Sequence, residues 1–107
     1  MTDRELLEAA AKAAGIDLTW DDHGNPGYWS DWKGLPQWTP WNPREDNGDA
    51  LRLAVKLRMA MDIEEYYVDA FVHVWQVNER EEINGDPYAA TRRAIVRAAA
   101  AIGGAKP

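Results

Sequence analysis

Apolar positions recur along this chain in helical spacing in three places, with alternating, β-type stretches between them. In the first, Leu6, Leu7, Ala10, Ala13 and Ala14 share one side, and Arg4, Glu8 and Lys12 the other. Thr2 and Glu5 make a capping box ahead of it, and Gly15 is placed to close it. In the second, Ala50, Leu53, Ala54, Leu57 and Met61 form a stripe, with Leu51, Val55 and Met59 beside it and Arg52 and Lys56 on the polar face. Asp46, Asn47 and Asp49 are its candidate caps, and Pro43 stiffens the loop that leads in. In the third, Asp86 and Pro87 give a cap and a first-turn proline; Tyr88, the stem of Arg92, Ile95, Ala99 and Ile102 line the inner side. Gly103 and Gly104 predict its end.

Between the helices, residues 16–20 alternate and read as a strand, the turn-rich run 22–27 as a hairpin loop, and residues 28–32 as the returning strand. Residues 33–36 break it, and residues 37–39 form a further short extended piece. After the second helix, residues 63–68 and 71–77 read as strands with a break at Asp69 and Ala70, and residues 78–85 as a charged loop. The order is α-β-β-α-β-β-α. Connections this short favour hairpins over crossovers, so the expected fold is α+β: an antiparallel sheet of about four strands with three helices packed on it, an α/β sandwich. At 107 residues the chain is expected to be a single domain.

Composition narrows the chemistry. No cysteine is present, which removes thiol catalysis and cysteine-based zinc sites and fits a reducing, cytoplasmic setting. No apolar run approaches the ~18 residues of a membrane span, so no membrane partner is expected. The net charge of −6 argues against direct nucleic-acid binding, which needs clustered Lys and Arg. That charge is uneven: residues 87–107 carry Arg92, Arg93, Arg97 and Lys106 with no acid, and all 18 acids lie in the rest. A basic last helix beside an acidic body fits an internal contact, a protein partner or simply a solvated polar face.

Enzyme chemistry is thinly supplied. His23 sits in a turn, His73 in an apolar strand pattern, and Ser30 is the only serine. Glu64 and Glu65 are adjacent, so on a strand they point to opposite faces and do not act together. Asp21, Asp22 and His23, or Asp46, Asn47 and Asp49, match no calcium loop, and turn and cap chemistry accounts for both sets. No enzyme activity, metal or cofactor is expected.

Two other features point to binding. Five of the six tryptophans (Trp20, Trp29, Trp32, Trp38 and Trp41) fall within 22 positions. Large amphipathic aromatics of this kind are enriched at protein interfaces. Trp20 and Trp41 read as structural; Trp29, Trp32 and Trp38 read as partly exposed and available to a partner. The acids Asp62, Glu64, Glu65, Asp69, Glu79, Glu81 and Glu82 cluster along the second strand pair. If they share one face, that face would imitate a phosphate row and occupy a basic groove on a host protein; otherwise they are solubility charge.

Trp41, Asn42 and Pro43, the run from Asp49 to Leu57, the run from Gly85 to Ala100, and Leu6 to Ala10 with Gly15 and Ile16 together resemble the small phage and prophage proteins of the phage ABA sandwich domain family. The Trp-rich insert at 20–41 and the stretch 62–84 lie outside the resemblance. It implies an α/β sandwich and a phage origin, with no biochemical activity and no catalytic residues to carry over. The functional expectation is therefore a phage accessory protein that binds a host or phage protein, with an acidic inhibitor of a host defence protein as one form. The alternative is a structural homo-oligomer whose tryptophans bury a subunit interface.

Overall fold

The computed structural model describes residues 1–106. Among them the chain runs α1 (Asp3–Ala14), β1 (Thr19–Trp20), β2 (Pro26–Trp32), β3 (Leu35–Pro40), α2 (Asn47–Lys56), β4 (Ala60–Ile63), β5 (Tyr67–Val72), a 3₁₀ turn (His73–Trp75), β6 (Val77–Glu82) and α3 (Pro87–Ala105). The fold is α+β with three helices, as expected. The single four-stranded sheet is corrected: the strands make two three-stranded antiparallel sheets, β1-β2-β3 and β4-β5-β6.

The helix ends follow their side chains. The Thr2 hydroxyl accepts from the Glu5 N–H at 3.1 Å, and the Glu5 carboxylate accepts from the Thr2 N–H at 3.2 Å. Gly15 closes α1 in the left-handed region. Asp86 caps α3 by accepting from the Tyr88 and Ala89 N–H groups. Asp46 caps α2 through the Asp49 N–H, and the Asp49 carboxylate in turn accepts from the Asn42 N–H at 2.9 Å. These two successive bonds tie the lead-in loop to the helix it starts.

α3 is the central element. Its Ala90, Ala94 and Ala98 pack on Val68 and Ala70 of β5. Its Ile95, Val96 and Ala99 join Leu7, Ala10 and Ala14 of α1, Leu53 and Ala54 of α2, and Trp41. Trp20 and Tyr28 bring the base of the first sheet onto this same cluster. Lysines lock the far ends of α1 and α3: Lys12 Nζ donates to the Lys106 carbonyl at 3.1 Å and Lys106 Nζ to the Ala13 carbonyl at 3.0 Å.

Five local readings change. Gly103 and Gly104 do not stop α3, which continues to Ala105; Gly103 is there because α1 passes so close that a Cβ would overlap the Ala9 carbonyl oxygen. Asp69 and Ala70 are the middle of β5, not a break. Asp69 is held by Arg80 across the ladder, and Ala70 is small enough for the α3 alanines to approach. The run 71–77 is not one strand: Phe71 and Val72 end β5, His73 to Trp75 form a 3₁₀ turn, and Gln76 adopts a left-handed conformation that reverses the chain into β6 at Val77. The charged run 78–85 is largely β6 itself. Strand residues 16–20 shrink to Thr19–Trp20, with Ile16 and Leu18 packed on the core from irregular backbone.

Candidate functional site

The β2–β3 hairpin extends away from the core as an arm. Its register pairs Tyr28 with Thr39, Trp29 with Trp38, Ser30 with Gln37, Asp31 with Pro36, and Trp32 with Leu35. Lys33 and Gly34, expected to break the strand, make its tight turn instead. Their φ values of 52° and 79° are those of a two-residue type I′ hairpin. Lys33 folds back so that its ammonium lies 4.7 Å from the Trp32 ring centroid.

The base of the arm is rigid. Trp41, only 4% exposed, lies in the main core, and its backbone N–H donates to the Pro26 carbonyl at 3.0 Å. The half-buried Trp38 donates from Nε1 to Thr19 Oγ1 at 3.1 Å. Its indole occupies the space a side chain at Gly27 would need, where a Cβ would also stand 2.5 Å from the Thr39 carbonyl oxygen. Trp20, half-buried, is covered by the Arg4 guanidinium at 4.4 Å.

The outer half has no such cover. Trp29, Trp32 and Leu35 are 61%, 58% and 64% exposed. Strand alternation puts Trp29 beside Trp38 on one face, and Trp32 beside Leu35 on the other. The three tryptophans named from sequence therefore form no single patch; the arm is a ribbon with apolar residues on both sides. Leu35 was missed by the sequence reading. Its signal was there: it flanks a Lys-Gly pair opposite Trp32.

The acidic residues also divide. Glu79 and Glu81 lie on the inner face of the second sheet, where Glu79 approaches Arg97 at 3.5 Å and Glu81 approaches Arg97 at 3.3 Å and Arg93 at 3.6 Å. The basic last helix is thus turned inward onto the acidic strand. Asp69 lies on the opposite face, 8% exposed, and accepts from both Arg80 Nε and an Arg80 terminal nitrogen at 2.8 and 2.9 Å. Arg80 itself lies 3.8 Å over the Tyr67 ring. Glu64, just after β4, and Glu82 remain exposed, with Asp62 and Glu65. One continuous acidic face is therefore not formed, because α3 covers one side of the sheet and draws Glu79 and Glu81 to it.

Arg80 holds the Asp69 carboxyl below the usual carboxylate range, chiefly by the hydrogen bonds it donates. The folded value lies under the unfolded one, so the pair's stabilisation is complete above about pH 4 and drains away as pH falls through the folded value. Asp69→Asn is expected to melt lower at neutral pH and to show a shallower decline of Tm on acidification than the wild type. An unchanged acid slope in thermal denaturation would contradict this role.

The remaining titratable candidates are in structural service. Asp21 accepts from the His23 and Asn25 N–H groups at 2.9 and 2.8 Å, which closes the turn at 21–25. His73 is exposed in the 3₁₀ turn, its ring 5.3 Å from Phe71, rather than in an apolar strand. No helix among the described residues is long and apolar enough to cross a membrane. The chain matches no protein-family model, no curated protein and no solved structure.

Proposed function

We propose that this chain is a non-enzymatic, phage-encoded accessory protein that binds another protein, of the phage or of its bacterial host, through the β2–β3 arm. One observation carries the reading. The arm is anchored by buried Trp41 and half-buried Trp38, yet leaves Trp29, Trp32 and Leu35 open on its two faces. A lone two-stranded ribbon is marginally stable in water, and large exposed aromatics anchor interfaces at small entropic cost. Such an arm suits a cleft that closes on both its faces. The phage setting, and with it the bacterial cytoplasm, rests on the resemblance of the helical segments to the phage ABA sandwich family. The division of the acids over two sheet faces favours the arm over imitation of a phosphate row.

The test is capture from bacterial lysate, nuclease-treated, by the wild type and by a Trp29→Ala/Trp32→Ala/Leu35→Ala variant. The wild type is expected to retain a protein that the variant loses, while the circular dichroism and Tm of the variant stay close to wild type, because the three side chains are exposed. Equal retention by both would overturn the arm as the binding site. A concentration-dependent increase in mass by light scattering, abolished in the variant, would replace this reading with a homo-oligomer built on the arm.

A further inference from the structure

The second sheet ends in an edge that nothing in the described chain covers. The Glu64 N–H donates to the Tyr67 carbonyl at 2.9 Å, and antiparallel pairing alternates, so Asp62 and Ala60 also face β5. Met61 and Ile63 therefore turn their N–H and C=O groups outward, and neither meets a partner among the described residues. The first sheet is different. In β3 the outward positions are Pro36, Trp38 and Pro40, so two of the three carry no N–H, a common way of blunting an edge. β4 has no proline.

Beside that open edge lies an apolar groove of about 540 Å³ between α2, β4 and α3. Ala54 and Ile95 are buried at its bottom, and Leu51, Ile63 and Tyr88 are exposed along it. Here the helical stripe read as far as Met61 is corrected: α2 ends at Lys56, Arg58 reverses the chain with a φ of 55°, Met61 falls in β4, and Leu51 is left open. Strand alternation sends Met61 and Ile63 to the groove side and Asp62 to the other, where Glu64 stands near it. The Glu64 carboxyl is pushed up by its hydrogen bond with Asp62 and by that neighbour's charge, a crowding that a cation relieves.

We propose that β4 and this groove form a docking site for an extended segment of another protein, in which apolar residues alternate with Lys or Arg. The segment adds as a fourth strand on Met61 and Ile63; its apolar side chains enter the groove, and its basic ones lie over Asp62 and Glu64. Charge decides against a second copy, since pairing β4 with itself about a two-fold axis brings the acids of the two edges together. The site is separate from the arm and stands whether or not the arm binds.

The probes are two blocked heptapeptides, Lys-Val-Lys-Ile-Lys-Val-Lys and its counterpart with Glu for every Lys, titrated into ¹⁵N-labelled protein. The Lys peptide is expected to bind saturably, shift the Met61 and Ile63 amides and protect them from exchange; the Glu peptide is expected not to bind. Ile63→Pro removes an outward donor without touching the β5 ladder and is expected to weaken binding roughly tenfold or more. Asp62→Lys/Glu64→Lys keeps the edge and is expected to reverse the preference toward the Glu peptide, which keeps the test decisive if the proline variant misfolds. No binding of the Lys peptide, shifts centred away from β4, or self-association through β4 would each overturn the proposal.

Discussion

Gly103→Ala is expected to destabilise the protein by about 3 kcal/mol and to lower Tm by on the order of 10–20 °C. The added methyl has nowhere to go. It would overlap the Ala9 carbonyl oxygen and lie 2.7 Å from the Ala9 carbonyl carbon, and both belong to the α1 backbone. A side chain can rotate away, but a helix backbone moves only as a body. Moving α1 off α3 would open the contacts of Leu7, Ala10 and Ala14 with Ile95, Val96 and Ala99, and the lysine-to-carbonyl bonds beyond them. Gly104 is the control. Nothing lies within 4 Å of a Cβ there, and the residue is helical, so Gly104→Ala is expected to stabilise by about 0.5–1 kcal/mol. Thermal or urea denaturation of the two variants checks both signs at once. A mild effect at Gly103 would mean that α1 and α3 do not approach as described.

Trp41→Ala is expected to cost about 3–5 kcal/mol, the range for emptying a buried aromatic site. Trp41 is packed among residues of all three helices at the base of the arm. Its backbone N–H, which alanine keeps, still bonds the Pro26 carbonyl, so the cost falls on the emptied core beneath the arm. Trp29→Ala, one member of the same sequence cluster, is expected to change stability by less than about 0.5 kcal/mol, since that side chain is mostly in water. Urea titrations followed by far-UV circular dichroism separate the two. Similar costs at both positions would refute the division of the tryptophans into anchors and free surface.

Local chemistry was the legible part of this chain. Caps and stops at Thr2, Gly15, Asp46 and Asp86 are written in side chains that meet backbone groups a few residues away, so the helices could be placed from the sequence. The division of the tryptophans was legible only in part: Trp41 reads as structural and Trp29 and Trp32 as exposed, but Trp38, read with the exposed set, is half-buried and holds the base of the arm through Thr19. What depended on distant partners was not. Asp69 and the acids of β6 look like loop residues until Arg80, Arg93 and Arg97 are brought against them. Gly103 looks like a helix stop until Ala9 arrives beside it. Leu51 looks like core because its helix is apolar around so much of its surface; only the reversal at Arg58 and the course of β4 leave it in an open groove. The arm's two-sided character followed from a register that Lys33 and Gly34 set, and that pair reads equally well as a break or as a type I′ turn.

The central claim is that the exposed half of the arm is covered by another protein. Placing a photoreactive benzophenone side chain at position 32 and irradiating living bacterial cells that produce the protein tests it most directly, with position 8, exposed on the outer side of α1, as the control. The account predicts an adduct between this chain and a different protein from position 32 and none from position 8. Adducts of the chain with itself alone, or equal adducts from both positions, would contradict it.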